Sequence, residues 1–230
     1  MPRSTALLTN DDGYGADGLE LLIRVVSRHA DVVVIAPHQH LSGCGHQVTV
    51  DQPLTLKEIE PNRYSLDGTP ADCVRVGVTH LVPNVDWVLS GVNEGGNLGV
   101  DVFTSGTVAA VREAAILGKR AIAFSKYRAS RRRIQWDAMA NDLDRVLQQI
   151  LALPLSDLEY LNVNFPDRAD DETPELVDCP LDPSRQRVAY ELVEDQLHYR
   201  GIYQDRPRQS KTDVDVCFAG DIALTRLRVQ

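Results

Sequence analysis

No apolar run in the 230 residues approaches the roughly 20 needed to cross a bilayer as a helix, so no transmembrane helix is expected. The N-terminus also lacks the apolar stretch and small-residue cleavage site of a secretory signal. Met1-Pro2-Arg3 leads almost directly into the first apolar run, and a cytoplasmic location is expected. Cysteine is sparse. Cys44, Cys73, Cys179 and Cys217 lie far apart with no C-x-x-C pair, which reads as reduced thiols rather than a disulfide framework. Positive charge is short too: 24 Lys and Arg face 33 Asp and Glu, a net charge of −9. That balance argues against a nucleic-acid polymer as partner, because such binding rests on neutralising phosphates. A small phosphorylated ligand stays open, provided a metal ion supplies the missing charge. Internal repeats and low-complexity tracts are absent.

What the chain does hold is a regular alternation. Strand-like runs at Thr5–Thr9, Asp31–Ala36, Val85–Ser90, Arg120–Ser125 and Tyr160–Asn164 are interleaved with helical patterns at Gly18–His29, Pro70–Leu81, Thr107–Leu117 and Ile134–Leu151. Leu19, Leu22, Val25 and Val26 recur at helical spacing, whereas "DVVVIA" is a continuous apolar run ended by Pro37, as in a strand buried on both faces. Leu54–Ile59 and Arg63–Leu66 read as a short hairpin. Thr107 or Ser105 is the N-cap candidate for the third helix, with Gly118 as its stop. Such alternation predicts βαβ units, right-handed crossovers and a Rossmann-like, three-layer α/β core with a mostly parallel sheet over residues 1–166. After Pro166 the texture changes. An Asp-, Glu- and Pro-rich stretch precedes strand-like pieces at Val188–Val193, Leu197–Tyr203, Val214–Phe218 and Ile222–Leu227. Residues 167–230 therefore read as a small β-rich C-terminal extension packed on the core, and a candidate oligomerisation element.

The stretch "LLTNDDGYGADG" at residues 7–18 supports two incompatible readings. Gly13, Gly15 and Gly18 match G-x-G-x-x-G, a dinucleotide-binding turn. That motif needs an acidic residue about 20 positions on to hold a ribose. Here the second strand ends Ile35-Ala36-Pro37-His38, and Asp11 and Asp12 stand where a pyrophosphate would be repelled. A dehydrogenase is thereby disfavoured. One Asp at a strand end commonly caps a helix or is solvated. Two, preceded by Asn10 and followed by glycines that let the chain bend, point to a site for a hard divalent cation such as Mg²⁺ or Mn²⁺.

Ligands of open parallel sheets bind outside the carboxyl ends of the strands, so the other strand ends test that reading. The second runs into Pro37-His38-Gln39-His40-Leu41-Ser42-Gly43-Cys44-Gly45-His46, a polar loop with a hydroxyl. The strand at 85–90 runs into Ser90-Gly91-Val92-Asn93-Glu94-Gly95-Gly96-Asn97, with two amides, and continues to Thr104-Ser105-Gly106-Thr107 at a helix start. A helix N-terminus offers free N–H groups and the positive end of the helix dipole to an anion. Two carboxylates, a hydroxyl, two amides and an anion-binding helix end thus fall on one sheet edge. A metal with a phosphate is the economical interpretation.

"LLTNDDGYGADGL", "VVVIAPHQHLSGCGH", "DGTPADCVRVGV" and "VLSGVNEGGNLGVDVFTSGTVAAVREAAILG" resemble, in order, the successive motifs of the SurE family of nucleotidases. "LNVNFP" and "TDVDVCFAGDIALTRL" are similar to its later signatures, although Thr225-Arg226-Leu227 replaces the usual T-P-L. The resemblance implies a metal-dependent phosphoric monoester hydrolase acting on nucleoside 5′- or 3′-monophosphates, sometimes with exopolyphosphatase activity. It implies Asp11, Asp12, Ser42 and Asn93 as ligands of one Mg²⁺ or Mn²⁺ per subunit, and a homodimer or homotetramer. On this reading Asp11, Asp12 and Asn97 are catalytic, with an Asp as proton acceptor for the attacking water. Asn10, Gly43, His46, Asn97, Ser105, Gly106 and Thr107 are the expected phosphate or substrate contacts. The second class of function on the same fold is a non-catalytic metal- or nucleotide-binding module.

Other conspicuous residues have plainer explanations. His38, His40 and His46 share no standard zinc spacing and read as solvated or supporting groups, with His46 also a candidate phosphate contact. Arg128 and Arg131–Arg133 read as a solvated basic run that could guide anionic substrates. Trp87 reads as core.

Overall fold

The computed structural model describes residues 3–129, 133–168 and 173–229. Arg131 and Arg132, two members of the basic run, lie outside the described residues. In chain order the core comprises β1 (Thr5–Thr9), α1 (Asp17–Val26), β2 (Asp31–Pro37), β3 (Leu56–Glu60), β4 (Arg63–Leu66) and α2 (Pro70–Val76), which continues into a π-helical turn at Gly77–Leu81. β5 (Trp87–Glu94), α3 (Gly106–Ile116), β6 (Arg120–Lys126), α4 (Trp136–Leu151) and β7 (Glu159–Phe165) follow. The remainder holds β8 (Leu176–Asp178), β9 (Tyr190–Val193), β10 (Gln196–Tyr199), α5 (Asp213–Ala219) and β11 (Ile222–Arg228).

Nine strands form one sheet in the order β3-β4-β2-β1-β5-β6-β7-β11-β8. From β4 to β7 every neighbouring pair is parallel; β3 and β11 run antiparallel to their neighbours β4 and β7. Period-two alternation sorts β1 between the two faces. Ala6 and Leu8 pack with α1 and α4, and Leu7 packs with α2 and α3. The result is the three-layer α/β arrangement expected from the alternation. The four cysteines are free thiols, and no helix among the described residues is long and apolar enough to cross a membrane.

Three local expectations give way to stronger signals. β5 does not end at Ser90 but runs to Glu94, with its pairing to β6 resuming at Asn93 opposite Ser125 after a register shift. Gly91 makes this continuation feasible: its φ is +126°, and a Cβ there would fall 2.2 Å from the Phe124 carbonyl oxygen. Val214–Phe218 is not a strand but lies within α5. Its apolar alternation is outweighed by Asp213 and Asp215 in the first turn and by the left-handed Gly220 that closes the helix. In the acid-rich stretch, β8 pairs in parallel with β11. The described residues after Pro166 thus divide between two placements. β8 and β11 extend the main sheet, with α5 packed against β11, while β9 and β10 form a separate antiparallel hairpin.

Candidate active site

The chain passes from β1 through α1 to β2 and later, after β4 and α2, crosses over to β5. β2 lies on one side of β1 and β5 on the other, so the carboxyl ends of β1 and β5 flank the topological switch point of the sheet. Asp11 and Asp12 follow β1 directly, and Asn93 is the penultimate residue of β5.

Asp11 is only 3% exposed. The Thr107 hydroxyl donates to its Oδ1 at 2.6 Å, and the Leu41 N–H donates to its carbonyl oxygen at 2.8 Å, pinning the loop after β2 to the acid pair. α3 reaches this carboxylate because its first residue is Gly106. A Cβ there would meet Asp11 Cβ at 2.8 Å and Cys44 Sγ at 2.9 Å. Burial pushes the Asp11 carboxyl up to about 6, opposed by the Thr107 hydrogen bond and reinforced by the neighbouring Asp12 charge. Asp12 is also raised, again chiefly by burial. Its Oδ2 accepts the Glu94 N–H at 3.1 Å, and its Oδ1 stands 3.5 Å from His40 Nδ1. Among the described residues neither carboxylate has a Lys or Arg partner.

Around this pair the structure assembles most of the expected residues, though not always with the expected groups turned inward. Ser42 is exposed and lines, with Asp12, a cleft of about 550 Å³. Gly43 beside it is exposed, with φ +77°. Asn93 donates its side-chain amide to the Gly95 carbonyl at 2.8 Å, a bond that does not use its own Oδ1. Asn10 is buried and donates to the Gly13 carbonyl at 2.9 Å, while its Oδ1 has no hydrogen-bond partner. Ser105 caps α3 by accepting the Val108 N–H at 3.1 Å. Thr107 is fully buried, with its hydroxyl committed to Asp11.

Two expected contacts are engaged elsewhere. Asn97 is buried, and its side-chain amide donates to Ser125 Oγ at 2.8 Å. His46 has both ring nitrogens occupied, Nε2 at 2.8 Å from Glu113 and Nδ1 at 3.3 Å from Arg112. Glu113, itself buried, also accepts Arg75 Nε at 2.6 Å, so this histidine belongs to an ion-paired cluster bridging α2 and α3.

The residues that hold Asn97 were not singled out from the sequence. Asn164 accepts its N–H at 2.8 Å, and the Asn162 and Asn164 amides donate to its carbonyl at 2.8 and 3.1 Å. Two asparagines at alternate positions of an otherwise apolar strand were the available signal. The segment between Asn97 and Ser105 is braced from the C-terminal part of the chain. Asp213 accepts the Gly99 N–H at 2.7 Å, and Arg206 and Tyr203 both donate to Asp101 Oδ2, at 2.5 and 2.7 Å.

The donor set suits a hard cation. It comprises the buried Asp11 and half-buried Asp12 carboxylates, neither with a Lys or Arg partner among the described residues, a hydroxyl, an amide oxygen and the unpaired Asn10 Oδ1, all oxygen. Among the described residues no three His, Cys, Asp or Glu side chains converge as a metal cluster. A site on these residues therefore depends on the hydroxyl and amide to complete two carboxylates.

A switch-point acid pair facing a helix N-terminus on a three-layer sheet defines a class of α/β proteins, and comparison with known proteins narrows it. The model of the family described as survival protein SurE matches residues 6–186. The chain belongs to the SurE family. It is 46% identical over 226 residues to a Synechocystis sp. protein named as a candidate 5′-nucleotidase, covering 97% of this chain and 99% of that one. It is 42% identical over 171 residues to the Brucella canis protein named 5′-nucleotidase SurE, covering 72% and 67% of the two chains. The crystal structure of the SurE protein from Aquifex aeolicus is similar over 98% of this chain and 94% of that one, with a TM-score of 0.87 and 33% identity.

Proposed function

We propose that the chain is a metal-dependent 5′-nucleotidase, a phosphoric monoester hydrolase that converts nucleoside 5′-monophosphates to nucleoside and inorganic phosphate. The observation that carries this reading is the Asp11–Asp12 pair, with Asp11 buried against the start of α3 at the switch point and neither carboxylate met by a Lys or Arg among the described residues. The names of the Brucella canis and Synechocystis relatives support it. Asp11, Asp12, Ser42 and Asn93 would hold one Mg²⁺ or Mn²⁺. Such an ion polarises phosphoryl oxygens and lowers the pKa of water.

The chain's own groups supply the rest. Thr107 fixes the Asp11 carboxylate, and the Glu94 N–H fixes that of Asp12, so neither must reorganise during reaction. The start of α3 directs its dipole toward charge building on the phosphoryl oxygens. Water attacks phosphorus as the ester P–O bond breaks. One carboxylate of the pair takes the water's proton, and the departing nucleoside oxygen is protonated from solvent. Asn97 is locked by Asn162, Asn164 and Ser125 and acts by shaping the loop that precedes α3.

Phosphate release from a panel of nucleoside 5′- and 3′-monophosphates and polyphosphate, with Mg²⁺, Mn²⁺ or EDTA, tests the reading. Release from the 5′-monophosphates, abolished by EDTA and restored by added metal, is expected. Metal-dependent nucleotide binding without any release would instead support a binding module.

Assembly as a homodimer through the β9–β10 hairpin accompanies this proposal. Leu192 and Leu197 are 66% and 67% exposed on it, and Tyr190, Tyr199 and Ile202 add to the same apolar surface. Light scattering should give a dimer or tetramer mass for the wild type and a monomer mass for Leu192→Glu/Leu197→Glu. An unchanged mass in that variant would place the interface elsewhere.

A further inference from the structure

The cleft that begins at Asp12 and Ser42 is larger than a phosphoryl group requires. Its volume of about 550 Å³ falls within the roughly 300–1,000 Å³ typical of small-molecule sites. With the phosphoryl end held at Asp12, the remainder of the cleft receives the remainder of the ester. Its one large apolar surface is the indole of Trp136, the first residue of α4. This ring is partly buried against the α1–α4 side of the core, with its Cη2 only 3.1 Å from where a Cβ would stand on Gly18. Gly18 therefore lets the indole seat on the first turn of α1 and fixes it there. The same ring borders a second cleft of about 610 Å³ alongside Arg24 and Asp137, so it stands as a partition rather than as buried core. None of the ring–ring contacts among the described residues involves it.

The polar lining does not suit a second anion. The Arg128 guanidinium is paired with Glu94, and Asp17 is paired with Arg133 at 3.6 Å. Beyond the phosphoryl end, then, the described residues offer a neutral, planar ligand an aromatic surface and offer a further phosphate no unpaired Lys or Arg.

We propose that Trp136 is the nucleobase platform of this site, stacking on the planar base of a nucleoside monophosphate whose phosphoryl group lies at Asp12 and Ser42. The assignment rests on the nucleotidase reading of the acid pair. Aromatic stacking on a base is worth roughly a ten- to hundredfold change in affinity. Trp136→Leu keeps apolar bulk but removes the π-face, and Trp136→Phe keeps both. The informative substrates are AMP and ribose 5-phosphate, which share sugar and phosphate and differ by the base.

Trp136→Leu is expected to raise KM for AMP about tenfold or more relative to its effect on ribose 5-phosphate, with Trp136→Phe restoring most of the difference. Equal shifts for the two substrates, or none, would overturn the platform while leaving the nucleotidase reading intact. A wild type that releases phosphate from neither substrate in any metal would overturn the nucleotidase reading itself. The platform then still answers to a binding measurement. The chain has two tryptophans, so Trp87→Phe isolates the emission of Trp136. Titration of that variant with adenosine, in EDTA, is expected to quench the emission saturably. Emission unaffected by adenosine overturns the platform irrespective of catalysis.

Discussion

Asp11→Asn and Asp12→Asn are each expected to lower kcat for metal-dependent phosphate release by about a thousandfold or more, as loss of a preorganised charge at the reacting centre does. The Asp11 variant should nonetheless melt at a higher temperature than the wild type when both are metal-free at pH 7.5. The reason lies in the direction of its titration. Folding raises this carboxyl from its ordinary 3.8 to about 6. Between those values the folded state binds more protons than the unfolded state, so stability falls as pH rises through the interval. Above it the buried charge costs about 3 kcal/mol. Asparagine carries no charge to desolvate, and its carbonyl oxygen can still accept the Thr107 hydroxyl.

The gain in Asp11→Asn should therefore be greatest above pH 6 and disappear below about pH 4. Urea or thermal melts in EDTA across that range measure it. Added Mg²⁺ or Mn²⁺ should stabilise the wild type through binding and leave the variant unmoved. A variant less stable than wild type at pH 7.5 without metal would show that the protein alone compensates the Asp11 charge.

Gly106→Ala is expected to cost about a hundredfold in kcat/KM, out of proportion to the size of the change. In an unobstructed helix, alanine is favoured over glycine by roughly 1 kcal/mol. Here the new methyl would lie 2.8 Å from Asp11 Cβ and 2.9 Å from Cys44 Sγ, so either the start of α3 or the acid must move. Overpacking of this kind costs about 1–3 kcal/mol in stability. Misplacing a catalytic group by as little as 1 Å can cost on the order of a hundredfold in rate. Combining Gly106→Ala with Cys44→Ala separates the two contacts. The second substitution removes the sulfur but not the Asp11 contact, so stability should recover in part while kcat/KM stays low. Recovery of both would assign the effect to the thiol rather than to the acid.

How far the site could be read in advance depended on whether a residue acts through its own position or through a distant partner. The acid pair was legible because consecutive carboxylates at the end of an apolar run have few structural uses. Ser105 was legible as a cap from the helical pattern after it, and α3 duly begins at Gly106. The hydroxyl of Thr107 was a different matter: it was expected at the phosphate, and only the approach of α3 to β1 turns it onto Asp11. His46 and Asn97 illustrate the same limit. Their partners Glu113 and Asn164 lie 67 residues away from each, and local spacing carries no record of such pairs. Trp136 had no motif to mark it, because its place at the cleft depends on α4 packing beside Gly18 in the first turn of α1. At the fold level, the parallel core followed from alternation alone. α5 was misread as a strand because five residues of apolar alternation fit either state, and the acids and the glycine around them decide it.

The position of β11 also sets an order on the life of a newly made chain. Among the described residues β8 has no neighbour in the sheet except β11, and β7 has its outer edge covered by the same strand. While the ribosome is still adding residues 179–221, the outer edge of β7 lacks its strand partner and β8 has nothing to pair with. An uncovered parallel core of this kind is open to pairing with another chain. The hairpin β9–β10, apolar and exposed, is synthesised within that interval. Expression yield in cells should accordingly depend on how quickly translation passes this segment.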